Sequence, residues 1–325
     1  LKIEKVAVLT SGGDSPGMNA AIRAAVRQGI DLDLEVVGVK YGYKGLLEGN
    51  FQRFGLKDVS GIIEHGGTVL QSKRAPEFKE EKVQDRAVRM INKAGLDGLI
   101  VIGGNGSLKG ALALHRQEIP VIGVPATIDN DVSGADISIG VDTALNMVVE
   151  ALDRLRDTAT ALERAFIVEV MGRQSGYIAL MGGLAGGAEV VLVPEVDYDL
   201  EEVAQEIYRG YKRGKQHCTI VVAEGIREEG SAAHYVAEQM REKIGFETRV
   251  TVLGHMQRGG SPSAFDRVLA SRLGATAVKE LAGGKSGLMM ALKGGEVGAI
   301  ELEKAVQESK ELDMDIFRLA QVLSK

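Results

Sequence analysis

The chain has 325 residues, 45% apolar and 26% charged, a composition that excludes intrinsic disorder and gives about two domains at roughly 150 residues each. Its net charge of −6 comes without any long like-charged block, which excludes general nucleic-acid affinity, and no apolar run approaches the roughly 18 residues of a membrane span. The single cysteine, Cys218, excludes an intrachain disulfide and is expected in the core, and LKIEKVAVLT at the start lacks the apolar core of a secretory leader, so a cytoplasmic location is expected.

In chain order, short β-branched runs alternate with helical patterns. KVAVLT, LEVVGV, DGLIVIGG, IPVIGVPA, RAFIVEVM, AEVVLVPE, CTIVVAEG and TRVTVLGH are predicted as strands, apolar almost throughout, as parallel strands covered on both faces must be. Between them MNAAIRAAVRQG, KVQDRAVRMINKAG, SLKGALALHRQ, ALNMVVEALDRLRDT, LEEVAQEIYRGYKRG, SAAHYVAEQMREKIG and AFDRVLASRLGATAVKEL carry apolar faces at helical period. Repeated βα units predict α/β architecture: doubly wound, mainly parallel sheets whose ligands sit beyond the carboxyl ends of the strands.

Glycine, 42 of 325 residues, is about twice its usual share, and its clusters follow predicted strands. SGGDSPG at 11–17 and GGNGS at 103–107 each lead into a helix, expected to begin near Met18 and Ser107, where backbone N–H groups and the helix dipole suit phosphate. Neither has dinucleotide-binding spacing, and GGKS at 283–286 lacks the leading glycine of a P-loop, Lys279 standing there instead. PATIDND at 125–131 places Asp129 and Asp131 two residues apart after a strand, with the Thr127 hydroxyl before them. One carboxylate can take the proton of an attacking hydroxyl, the other can hold Mg²⁺, and Thr127 can bond a transferring phosphoryl oxygen, a set that suits phosphoryl transfer. Arg249, His255 and Arg258, around TRVTVLGH and the GHMQRGG loop, offer donors for a substrate phosphate. Arg23 and Arg27 share a helix face at i,i+4, and Arg154, Arg156, Arg213 and Lys215 add positive charge in an acidic chain; a solvated face also accounts for them.

SGGDSPGMNAAIR, GGNGS, PATIDND, VEVMGR and VLGHMQRGGSP, in this order, resemble the bacterial ATP-dependent 6-phosphofructokinase family (phosphofructokinase A type) from end to end. The resemblance implies a homotetramer that transfers the γ-phosphoryl group of ATP, with Mg²⁺, to the 1-hydroxyl of fructose 6-phosphate in glycolysis. It implies a larger ATP-binding domain of residues 1–140 plus 253–303 and a smaller fructose 6-phosphate-binding domain of residues 141–252 plus 304–325. Asp129 matches the catalytic base, with Thr127 and Arg173 as further catalytic groups and Asp131 on the metal side. Gly13, Arg74, Gly104, Asn105, Gly106, Ser107 and Gly110 match positions around ATP. Met171, Gly172, Arg173, Glu224, His255 and Arg258 match the sugar-phosphate pocket, which Thr127 and Asp129 also touch, and Arg164 and Arg249 match residues contributed across a subunit interface. Arg23, Arg27, Arg156, Glu189, Arg213 and Lys215 match the effector site, where family members bind ADP and phosphoenolpyruvate.

Three positions depart from the family's pattern. Its GGDG loop reads Gly103-Gly104-Asn105-Gly106 here, so one negative charge is missing at the Mg²⁺ site, leaving Asp131 and the Asn105 amide oxygen as the expected metal contacts. Its PGTIDND reads PATIDND, with Ala126 beside the donor phosphates, and Leu56 is apolar where some members carry a basic effector contact. Pyrophosphate-dependent relatives typically carry lysine at 126 and aspartate at 106, and neither is present, so ATP is the expected donor. The alternatives are a catalytically impaired or regulatory sugar-phosphate and nucleotide binder, motivated by Asn105, and a pyrophosphate-dependent enzyme.

Overall fold

The computed structural model describes residues 2–162, 165–214, 218–244 and 248–324. Its strands are β1 (Lys5–Ser11), β2 (Glu35–Val39), β3 (Phe51–Phe54), β4 (Gly98–Gly103), β5 (Val121–Pro125), β6 (Ala165–Val170), β7 (Val190–Leu192), β8 (Cys218–Ala223), β9 (Thr248–Val252), β10 (Leu288–Lys293) and β11 (Glu296–Glu301). Its helices are α1 (Met18–Asp31), α2 (Gly42–Glu48), α3 (Glu81–Lys93), α4 (Asn105–His115), α5 (Val141–Leu162), α6 (Tyr177–Ala185), α7 (Leu200–Lys212), α8 (Ala232–Ile244), α9 (Ala264–Ala282), α10 (Leu302–Gln307) and α11 (Met314–Leu323). Among the described residues no helix is long and apolar enough to cross a membrane.

The chain divides into two compact units. The first comprises Leu1–Thr127, Asp131–Asp142 and Arg258–Lys310, the second Ile128–Asn130, Thr143–Gln257 and Glu311–Lys325. The last crossing falls at 310 rather than near 304 because α10 buries Leu302 and Ala305 in the first unit's core. The small segment Ile128–Asn130 joins the second unit because Ile128 packs into a cluster with Val168, Val170 and Leu253.

The first unit holds a seven-stranded sheet in the order β11-β10-β5-β4-β1-β2-β3, parallel except for the pairs β10–β11 and β2–β3. Strand alternation explains its two cores. Val6 and Val8 of β1, Ile100 and Ile102 of β4 and Ile122 and Val124 of β5 face α1 and α9, while Ala7, Leu9, Leu99, Val101 and Val121 face the other side, with α2, α3, α4 and α10. Each fully buried Ile or Leu of this kind contributes roughly 1.5–3 kcal/mol. The chain runs from β1 outward to β3 and returns to β4 on the other side of β1, so β1 and β4 flank the switch point where such sheets open a crevice.

The second unit holds a parallel four-stranded sheet in the order β7-β8-β6-β9. Val168, Val170, Val221 and Ala223 pack toward α5, α6 and α11, and Ile167, Ile220, Val222 and Cys218 toward α7 and α8. Cys218 is buried, as expected of a core thiol.

The hairpin β10–β11 was illegible in the sequence, whereas α9 stands where its periodicity placed it. The hairpin β10–β11 turns at Gly294-Gly295, both at positive φ, a dipeptide that fits such a turn. Helix α9 starts where the Ser263 hydroxyl accepts from the Asp266 N–H at 3.2 Å, and it ends at Gly283-Gly284. Ser286 in that GGKS segment accepts from the Val121 N–H and bonds His115, both at 3.0 Å, so the segment is a structural turn.

Candidate active site

In the first unit the ends of the adjacent parallel strands β1, β4 and β5 bring three predicted loops together. Their closeness depends on missing side chains. A Cβ on Gly103 would stand 2.5 Å from the Ser11 carbonyl oxygen and 2.6 Å from the Ser107 hydroxyl, and one on Gly104 would stand 3.3 Å from Thr127 Cβ. A Cβ on Gly110 would fall 2.7 Å from the Tyr43 ring, which stacks on Phe78 and donates its hydroxyl to the Ser107 carbonyl at 2.6 Å. Burial pushes the Tyr43 phenol far above its ordinary range, so it stays a donor. By contrast a Cβ on Gly106 meets nothing within 4 Å, and Gly106 stands exposed in the first turn of α4.

Helix α4 begins at Asn105, two residues before the expected start, which puts its free N–H groups within the glycine loop itself. The Asn105 amide donates to the Asp131 carbonyl at 3.0 Å, tying the β4 loop to the acidic segment after β5. Thr127 donates its N–H to the Ile139 carbonyl at 3.1 Å and lies half-buried, as does Asp131. The Ser72 hydroxyl donates to the Gly12 carbonyl at 2.7 Å, so the segment bearing exposed Arg74 is anchored to the β1 loop. The Arg258 guanidinium covers Gly13.

In the second unit the ends of β6, β8 and β9 carry the other predicted residues. Glu224 accepts from the N–H groups of Gly172 at 3.2 Å and Arg173 at 2.8 Å. Those bonds hold two unusual backbone positions, Gly172 at φ 144° and Arg173 at φ 54°, strain of a kind concentrated at functional sites. Arg173 thereby presents its Nε 3.5 Å from a carboxylate oxygen of Asp129, which is buried to 3% exposure. Asn130 beside it takes φ 49°, a left-handed conformation that asparagine tolerates. Buried Gln257 accepts from the Met171 N–H at 3.2 Å and donates to the Gly254 carbonyl at 3.0 Å, tying the β6 end to the loop of exposed His255. Sequence reasoning passed over Gln257 and Tyr43, although Gln257 stands inside a quoted motif.

The remaining predicted residues divide between the units. Arg249 is exposed on β9, and Arg164 lies outside the described residues. Arg23 and Arg27 sit on α1 of the first unit, half-buried and exposed respectively. In the second unit Arg156 donates to the Gly186 carbonyl, Glu189 accepts from the Thr219 N–H at 2.8 Å, and Arg213 pairs with Glu206 at 3.2 Å. Lys215 lies outside the described residues.

Among the described residues no group of three or more His, Cys, Asp or Glu side chains could hold a metal ion on its own. One carboxylate, Asp131, beside the N-terminus of α4 fits a Mg²⁺ ion that arrives with phosphates and keeps waters, since Mg²⁺ is usually held that way.

The phosphofructokinase family model matches residues 5–281. The chain is 50% identical over 322 residues to the ATP-dependent 6-phosphofructokinase of Natranaerobius thermophilus, covering 99% of this chain and all of that protein. It is 51% identical over 323 residues to the enzyme of the same name from Thermotoga neapolitana, again over 99% of this chain and all of that one. Among solved structures, phosphofructokinase from Saccharomyces cerevisiae is 34% identical with a TM-score of 0.87; the match covers 99% of this chain and 48% of the yeast chain. A pyrophosphate-dependent phosphofructokinase from Marinobacter aquaeolei shares the fold at a TM-score of 0.87 and 23% identity, over 96% of this chain and 86% of that one. With a family model spanning most of its length and relatives of half-identical sequence, this chain belongs to the phosphofructokinase family.

Proposed function

We propose that this protein transfers the γ-phosphoryl group of ATP to the 1-hydroxyl of fructose 6-phosphate, giving fructose 1,6-bisphosphate and ADP. The observation that carries the reading is Asp129, a buried carboxylate in PATIDND with the Arg173 guanidinium 3.5 Å away. In that role Asp129 takes the proton from the attacking hydroxyl, and Arg173 offers positive charge where negative charge develops. The Gly104–Ser107 backbone at the start of α4, with Gly13, Arg74 and Gly110, receives the nucleotide. Thr127 bonds the moving phosphoryl group. Mg²⁺ supplies charge neutralisation of the phosphates when bound, and Asp131 with the Asn105 amide oxygen would hold it. Met171, Gly172, Glu224, His255 and Arg258 receive the sugar phosphate, and Arg164 and Arg249 reach it from a neighbouring subunit of a homotetramer. Arg23, Arg27, Arg156, Glu189, Arg213 and Lys215 form an effector site for ADP and phosphoenolpyruvate.

The open space at Gly106 and the small Ala126 favour ATP over pyrophosphate as donor, because the α-phosphate region stays clear. A coupled assay for fructose 1,6-bisphosphate with ATP and with pyrophosphate, over a Mg²⁺ titration, tests the reading. Turnover with ATP is expected; a folded tetramer that turns over neither donor refutes it. A second reading, a regulatory binder with impaired catalysis, is favoured by one contact: Asn105 supplies no negative charge for Mg²⁺ and bonds the Asp131 backbone instead. That reading predicts sugar-phosphate and nucleotide binding without turnover at any Mg²⁺ concentration.

A further inference from the structure

Gly13 lies in the loop after β1, beside the switch point, with Gly12 anchored by Ser72. Its backbone is not in a left-handed conformation, so turn geometry does not require glycine there. Space does. A Cβ would stand 2.2 Å from Arg258 Nη1, 3.0 Å from Cζ and 3.4 Å from Nη2, so the flat guanidinium lies across the position any side chain would fill. The backbone beyond Arg258 is also fixed, since Gly260 abuts Gly66 so closely that a Cβ on Gly66 would fall 2.3 Å from the Gly260 carbonyl oxygen. The Arg258 Nε is shut off from solvent and has no hydrogen-bond partner among the described residues, so packing against Gly13 rather than a bond through Nε sets the guanidinium.

We propose that Gly13 is a positioning residue for Arg258: its bare backbone seats the guanidinium and so couples the nucleotide loop to sugar-phosphate binding. The inference rests on the proposed function, in which Gly13 faces the nucleotide and Arg258 the sugar phosphate. A ligand pressing on the β1 loop then bears on the same surface that sets the guanidinium, so each substrate biases the other's site. A methyl group at position 13 displaces only the far end of a flexible side chain, which leaves the fold intact and moves the donor.

The test is calorimetric titration of the full-length protein with fructose 6-phosphate, with and without a non-hydrolysable ATP analogue, for wild type, Gly13→Ala, Arg258→Ala and the double variant. Arg258→Ala should weaken sugar-phosphate binding about 10- to 100-fold, the loss of a charge-assisted contact. Gly13→Ala should weaken it by about tenfold, although it lies in the nucleotide loop, and should add little in the Arg258→Ala background. Additive losses, or unchanged sugar-phosphate affinity in Gly13→Ala while Arg258→Ala is weak, overturn the seat alone. Unchanged affinity in Arg258→Ala removes Arg258 from the sugar-phosphate site and the seat with it. Should Gly13→Ala melt early, Arg258→Lys replaces it, keeping the charge but removing the flat head from Gly13. The ATP analogue should then shift fructose 6-phosphate affinity less than in wild type, and an equal shift overturns the proposal.

Discussion

The two units build their strand-end loops by different means. In the first unit the loops after β1 and β4 approach through absent side chains, Gly103 against Ser11 and Ser107, and Gly104 against Thr127. In the second, glycines also let segments close in, a Cβ on Gly225 falling 1.8 Å from the Arg173 carbonyl oxygen, but side-chain acceptors hold the backbone in addition: Glu224 on Gly172 and Arg173, Gln257 on Met171, and Glu195 on Gly176 at 2.8 Å. The first arrangement brings the backbone at the start of α4 to the strand ends, which suits an extended phosphate chain. The second fixes individual side chains, which suits a ligand read group by group.

Changes that break this contrast should differ in kind. The largest effect is expected at Asp129→Ser, where kcat should fall about 10²- to 10⁴-fold with little change in substrate binding, because a base acts on a proton moving in the transition state. Steady-state kinetics check it, and a loss confined to KM would contradict the role. Gly103→Ala comes next: its methyl meets a backbone carbonyl that cannot retreat, so a stability loss of about 1–3 kcal/mol is expected by denaturant unfolding. The companion Gly106→Ala meets nothing and should leave stability unchanged, so any effect it has on ATP affinity reports on the nucleotide itself.

In the second unit, Glu224→Ala strands two backbone donors and should cost about 1–3 kcal/mol, whereas Glu224→Gln keeps an acceptor and should recover most of it. Melting curves of the pair check this, and equal losses would mean that charge rather than hydrogen bonding matters. Asn105→Asp sharpens the comparison from the first unit. It deletes the donor to the Asp131 carbonyl, so about 1 kcal/mol of stability should go in Mg²⁺-free buffer, and it adds a carboxylate that Mg²⁺ should repay. A melting temperature indifferent to both changes would show that the contact does not tie the loops.

The smallest effect concerns Lys310, whose ammonium donates to the Ala135 and Asp136 carbonyls at 2.6 and 2.8 Å and whose pKa burial lowers to about 8. Between that value and its ordinary 10.5 the unfolded chain binds more protons than the folded one, so the Lys310 contribution to stability rises with pH across this window. Lys310→Met should flatten the rise, measured as melting temperature against pH relative to wild type.

Much of the fold was legible. The apolar runs of β1, β4, β5, β6 and β8 and the long periodic helices stand where expected, because buried parallel strands and amphipathic helices carry patterns set by burial itself. The short or edge elements β3, β10, β11, α2, α6, α10 and α11 were missed. Strand β11, at the sheet edge, mixes half-buried and exposed residues without a clean period, and α6 is apolar nearly all round, so neither shows a helical or strand signature. The loop motifs identified the site because glycine and paired acids are costly to place without purpose, yet Tyr43 and Gln257 carry no such signature and act through partners far away in sequence.

The sequence by itself determined the α/β class, the strand-end loops and the residue types available there, since these follow from local periodicity and from short motifs. Only the tertiary structure decided that Arg258 lies on Gly13, that Asn105 bonds Asp131, and that Asp129 packs with the second unit while Thr127 belongs to the first. Those are contacts between segments distant in sequence or choices between two cores, and no local pattern encodes which neighbour a side chain meets once the sheets are assembled.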